Sequence, residues 1–133
     1  MDADSKLILD YAVTPANVHD SNEFENFFNE QDEVGYADSA YIGKKLPEHI
    51  RNEVCEKGYR NKPLTEEQKE NNRRKSKIRC RIEHVFGFMT MSMHGLTVRS
   101  IGIARATFHI GLTNLVYNLC RYSFLIRKEA VTG

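Results

Sequence analysis

The chain has 133 residues, enough for one domain with a core, and its hydrophobic share of 41% is ordinary for a globular protein. No apolar run reaches membrane-spanning length and the start has no signal-peptide layout, so the cytoplasm is the default compartment and a membrane partner is not expected. A formal net charge of +1 gives no bulk argument for nucleic acid, and three scattered cysteines (Cys55, Cys80 and Cys120) without CxxC spacing argue against a zinc site or disulfide framework.

Residues 6–13 are apolar-rich, end at Thr14-Pro15 and read as a strand. The polar residues 1–5 look like the second half of a hairpin turn. The partner strand would lie outside the chain, so the sequence reads as a piece of something longer. Residues 22–29 place Phe24, Phe27 and Phe28 at helical spacing, with Asp20 or Ser21 as the N-cap. Residues 34–37 form a short strand candidate, with Asp38 at its carboxyl end, where α/β folds gather ligand-binding residues. A helix over 44–51 and a short extended piece at 54–55 follow. Residues 66–89 contain no glycine or proline before Gly87 and read as one long helix, or as two with a break near Asn71-Asn72. Residues 92–100 make a loop around His94-Gly95. A last helix spans 103–124, apolar at Ile103, Phe108, Leu112, Leu115, Val116 and Leu119; Gly102 and Gly111 offer close packing, and the tail over 127–133 is expected to fray. The order predicts an α/β fold with a helical C-terminal half.

The charge is local. Six basic residues and no acid lie between Arg73 and Arg81, the electrostatic footprint of a phosphate backbone and equally the look of a solvated helix face. On one helix Ile78, Ile82, Val85, Phe86 and Met89 make an apolar stripe. Arg79 and Glu83 are neighbours on one flank of it, and Arg73, Lys77, Arg81 and His84 lie on the other. Asp38 and Glu83 are the carboxylates best suited to a Mg²⁺ site that activates water and stabilises a phosphodiester leaving oxygen. The plainer reading makes Asp38 a turn residue and Glu83 the ion-pair partner of Arg79. His19 and Asp20 suit a turn, Tyr36 and Tyr41 packing at the strand end, and Met89, Met91 and Met93 flexible core filler.

Tyr36-Ala37-Asp38-Ser39-Ala40-Tyr41-Ile42-Gly43 and Lys77-Ile78-Arg79-Cys80-Arg81-Ile82-Glu83-His84-Val85-Phe86-Gly87 resemble the two downstream blocks of bacterial DDE-type insertion-sequence transposases. Thr14 to Asp20, Pro63-Leu64 with Asn72 to Ser76, and Ile101-Gly102 through Arg121 are similar to further blocks of the same family in the same order. The resemblance covers nearly the whole chain. It implies the C-terminal portion, over 1–133, of a ribonuclease H-like catalytic domain with a short mixed sheet. It also implies a triad of two Asp and one Glu holding Mg²⁺ (or Mn²⁺), DNA as partner, and strand cleavage and transfer as the activity. Asp38 is similar to the second Asp of the triad, Glu83 to its Glu, and Arg79 to the Arg one turn before it. Arg73, Arg74, Lys77 and Arg81 are then the further phosphate-binding candidates.

Two departures stand out. The family's first Asp lies on an upstream strand that is absent here, and Asp2 and Asp4 sit at the wrong end of a hairpin to replace it. Thr90 stands where related transposases carry a basic residue. The resemblance therefore implies a chain inactive on its own, with an exposed sheet edge that invites self-association. The rival readings are a non-catalytic DNA-binding remnant and an interaction domain in which Arg79 and Glu83 form a structural pair.

Overall fold

A computed structural model of the chain describes residues 1–95 and 97–132, apart from the side chain of Ser21. The expected cap at Ser21 and the Leu96 part of the expected loop lie outside the described residues. The chain is mixed α/β and divides into two compact units, one of residues 16–80 and the other of residues 1–15 with 81–133.

In the unit 16–80, β1 (Val34–Ala37) and β2 (Arg51–Val54) pair in parallel, with Val34 opposite Arg51 and Ala37 opposite Val54. The ladder extends by one bond at each end, Arg51 N–H to Glu33 O at 2.8 Å and Cys55 N–H to Ala37 O at 3.0 Å. Among the described residues these are the only two strands, so the sheet is parallel rather than mixed. Phe24, Ala37 and Val54 form its core, with Phe28, Tyr41 and Leu46 packed around them.

The expected helix over 22–29 is two short 3-10 turns, Asp20–Asn22 and Phe24–Phe27. Three asparagines and three phenylalanines in eight residues give little intrinsic helix preference, and Phe24 and Phe28 still reach the core from tight turns. The expected helix over 44–51 is also absent. Pro47 would stand inside it without an N–H to donate, and Arg51 is already drawn into β2.

Helix α1 (Glu66–Arg79) starts on a capping box: Thr65 Oγ1 accepts from Gln68 N–H at 3.2 Å, and Gln68 Oε1 accepts from Thr65 N–H at 3.0 Å. It is fastened along β2 and the residues after it. Asn72 brackets Glu56, accepting its N–H at 2.7 Å and donating to its C=O at 2.8 Å, while Lys75 Nζ donates to Val54 O at 3.1 Å.

Helix α2 (Arg81–Met91) opens the other unit, so the break in the basic helical region falls at Cys80 and not near Asn71-Asn72. Val85 and Met89 are almost fully buried against Tyr117 of α3 (Ile103–Thr132), with Ile8, Ile82 and Met93 alongside. Phe86, placed on the buried stripe by periodicity, is exposed, and so is Met91. Helix α3 runs through Thr132, so residues expected to fray are helical. Although it has 30 residues, among the described residues no helix is long and apolar enough to cross a membrane.

The segment over 6–13 has strand composition but joins no ladder. Its backbone bonds to side chains of α3 instead: Asn118 accepts from Ile8 N–H at 2.8 Å and donates to Ile8 O at 2.9 Å. Tyr117 Oη donates to Lys6 O at 2.8 Å, and Arg121 Nε to Ser5 O at 2.6 Å. Ahead of it, a closed turn joins Asp2 N–H to Leu7 O at 2.9 Å and Lys6 N–H to Asp2 O at 3.0 Å, with Lys6 left-handed at φ 62°. Gly111 packs closely on the Tyr11 ring, as expected of a small residue, whereas Gly102 faces open space and is needed for its φ of 98°.

Candidate active site

Asp38 follows the last residue of β1 and is exposed. Its Oδ1 accepts from Ser39 N–H at 2.6 Å, capping the 3-10 turn Ser39–Tyr41 and holding the carboxylate at the strand's carboxyl end. Tyr41 packs against Phe24 with ring centroids 4.8 Å apart. Its phenol is pushed above the usual range by burial first, then by the negative charges of Asp20 and Asp38. Both acids therefore act on the same ring. His19 and Asp20 otherwise serve the chain reversal, their carbonyls accepting from Asn22 and Glu23 N–H.

Glu83 lies in the first turn of α2 and is exposed. Arg79 is half-buried in the last turn of α1. The break at Cys80 falls between them, so they do not lie on one continuous helix. Asp38 and Glu83 belong to different units.

Arg73, Arg74 and Arg81, three of the five expected phosphate-binding cations, are each held by a neighbour. Arg73 pairs with Glu70 on the same helix, both exposed, an arrangement worth at most about 1 kcal/mol. Arg74 reaches the buried Glu53 carboxylate at 3.3 Å, where Arg51 Nε also binds at 3.1 Å. Arg81 donates to Ala3 O at 2.7 Å and lies 3.4 Å from Asp4. Lys77 is exposed and makes no ion pair among the described residues.

Sequence reasoning did not find Glu53 as the organising anion of this helix-strand contact. Its signal is weak, one acid at the strand position opposite Tyr36. A second feature escaped it too. Lys6, Arg121 and Arg127, with His84 and the rings of Phe88 and Phe124, line an open groove of about 700 Å³ without a carboxylate. The Arg121 guanidinium stacks over Phe124 at 4.8 Å, and Lys6 Nζ lies 3.2 Å from His84 Nδ1. These residues are spread over 122 positions of the chain, so no local motif could mark them.

Carboxylates such as Asp38 and Glu83 have the hard oxygen donors that Mg²⁺ and Mn²⁺ take. Among the described residues, however, no three His, Cys, Asp or Glu side chains gather into a group that could hold a metal ion. Asp38 and Glu83 have the right donor chemistry, and no catalytic step follows from them alone.

No curated protein and no solved structure matches the chain. A family model described as transposase DDE domain matches residues 1–119. That span takes in the β1 end, both helices of the basic region and the Tyr117-Asn118 clasp, and by it the chain belongs to the transposase DDE domain family.

Proposed function

We propose that this chain supplies part of the catalytic apparatus of a DNA transposase acting in the cytoplasm, and that by itself it does not transpose. The family match over residues 1–119 carries the reading. Two features support it: Asp38 stands exposed at the carboxyl end of a parallel strand, and Glu83 stands exposed in the first turn of α2. The fold proposed for the complete catalytic domain is ribonuclease H-like, and α1 to α3 would be its C-terminal helices. In that domain a divalent metal would activate the attacking oxygen and stabilise the leaving one. Asp38 and Glu83 would provide carboxylate oxygens to it.

The cations divide by how firmly they are held. Arg74 is committed to buried Glu53 and Arg81 to the first turn of the chain. Arg73 can leave an exposed pair at little cost. Lys77, exposed at the end of α1, and Arg73 are then the readier phosphate-positioning pair, and Arg79 joins them only by its likeness to the family's Arg one turn before the Glu. Lys6, Arg121 and Arg127 add a second cationic surface.

Fluorescence anisotropy with a short DNA duplex at stepped salt tests the binding. Affinity should fall linearly on a log–log plot, and Lys77→Ala and Arg127→Ala should each lower the slope by about one. Salt-independent binding, or none at low salt, would sink the reading. Mg²⁺-dependent DNA joining by the purified chain would refute its proposed inactivity. The rival is a DNA-binding remnant; undiminished binding by Asp38→Ala and Glu83→Ala is its signature, provided metal binding is absent too.

A further inference from the structure

The groove lined by Lys6, Arg121 and Arg127 is more than a patch of charge. Three segments build it: the first turn of the chain gives Lys6, α2 gives His84 and Phe88, and α3 gives Arg121, Phe124 and Arg127. No carboxylate lines it, so the three cations are open to an anion from outside the chain. At about 700 Å³ it has the size of a small-molecule site.

Two of the cations are held in place. Lys6 is left-handed at φ 62°, a conformation that costs any residue with a Cβ. Two bonds keep it there: its N–H donates to Asp2 O at 3.0 Å, and its carbonyl accepts from Tyr117 Oη at 2.8 Å. Its ammonium only donates, so His84 Nδ1, 3.2 Å away, accepts and Nε2–H is left as a further donor. Arg121 is fixed by Nε on Ser5 O at 2.6 Å and by its guanidinium over the Phe124 ring at 4.8 Å. The bond to Ser5 uses Nε alone, and the two terminal nitrogens form the fork that a phosphate takes.

Charge alone does not account for the rings. Phe124 is 46% exposed, and Phe88, set edge-on to Tyr117 at 5.8 Å, is 40% exposed. Duplex DNA presents phosphates and base edges, with its base faces hidden in the stack. A ring among cations gains from nucleic acid only where a base face is free. The order along α3 fits such a strand. Arg121, Phe124 and Arg127 run cation, ring, cation, as an unpaired strand runs phosphate, base, phosphate. The carboxylates of an acidic peptide would engage the cations and leave both rings unused.

We propose that this groove holds an unpaired nucleotide of a DNA strand, with phosphate on Lys6, Arg121 and Arg127 and the base against Phe88 or Phe124. The inference rests on the DNA-binding reading and narrows it, since it makes single-stranded DNA the form this surface prefers.

Two titrations of the full chain at one salt concentration test it. In fluorescence anisotropy a short single-stranded oligonucleotide should bind about tenfold more tightly than the duplex of the same sequence. Phe124→Leu should remove most of that preference and leave duplex binding unchanged, whereas Arg127→Ala should weaken both forms. The chain has no tryptophan, so Phe124→Trp adds a single reporter. The single strand should quench its emission by stacking and should not quench Phe108→Trp, at an exposed position of α3 outside the groove. Free dAMP offers the same base and phosphate and should bind about a hundredfold more weakly, because only a strand adds neighbouring phosphates. Equal affinity for dAMP and strand would overturn the assignment in favour of a free-nucleotide site. Duplex binding with no single-strand preference and no quenching would overturn it too and leave the DNA reading standing. Binding of neither form would remove both.

Discussion

Asn118 bonds the backbone of Ile8 as a neighbouring strand would, and its loss should loosen the start of the chain more than its half-buried position suggests. Its amide makes two hydrogen bonds to one residue, Ile8 N–H at 2.8 Å and Ile8 O at 2.9 Å. Each is worth about 0.5–1.5 kcal/mol net, and water can reach part of the half-buried Ile8 backbone once the amide is gone, so Asn118→Ala should cost about 1.5–2 kcal/mol. Asn118→Asp is more diagnostic. At neutral pH a carboxylate still accepts from Ile8 N–H but sets an oxygen against Ile8 O. A protonated carboxyl restores both donor and acceptor. The folded-state pKa of that Asp should therefore be raised, and the lost stability should return relative to wild type as pH falls through that raised value, largely complete by about pH 4. Urea unfolding of the three proteins at pH 7 and pH 4 gives the energies, and hydrogen exchange at the Ile8 amide gives the location. An Ile8 amide equally protected in wild type and Asn118→Ala would refute the clasp.

Three further outcomes follow from local geometry. Gly95→Ala should destabilise the chain by about 1–3 kcal/mol in urea unfolding, because a Cβ there would stand 2.6 Å from Thr113 Cγ2 on a packed helix. In a spectrophotometric titration, Tyr41 and Tyr117 should ionise late, above the ordinary tyrosine range, both raised chiefly by burial. Their neutral forms contribute stability that is complete below pH 10 and lost as pH rises through the higher folded values; Tyr41→Phe and Tyr117→Phe should remove the late phase. Asp2 titrates the other way. The Ser5 hydroxyl and then the Ser5 N–H hold its carboxyl below the usual range, so the turn at 2–7 should stay closed above pH 4 and open as pH falls through the folded value, followed by the Ser5 amide shift.

Some of this was legible from residue order alone. The strand over 34–37 and the position of Asp38 after it follow from a short apolar run and a turn residue, and both are local signals. The start of α1 is legible for the same reason, since Thr65 and Gln68 are a capping box three residues apart. Strand composition at 6–13 was a poor guide, because a strand is completed by a partner and here the partner is the side-chain row Tyr117, Asn118 and Arg121 on a helix over a hundred residues away. The spacing of Ile78, Ile82, Val85 and Met89 assumed one unbroken helix. The chain stops that helix at Cys80, which divides the basic region between two units and leaves Phe86 outside. For α3 the apolar positions were legible, but not that the unit would pack against the helix's polar side, with Thr113 and Tyr117 buried.

The central claim is that Asp38 and Glu83 are the metal-binding carboxylates this chain brings to a DNA transposase. Paramagnetic broadening by Mn²⁺ tests it directly, because it registers even millimolar binding to an incomplete site. With the isotope-labelled chain and Mn²⁺ added well below stoichiometry, the amide signals around Asp38 and Glu83 should broaden first, and Asp38→Asn and Glu83→Gln should each abolish the effect at its own position. Broadening that centres instead on the acidic stretch over 23–33, unchanged by either substitution, would contradict the account.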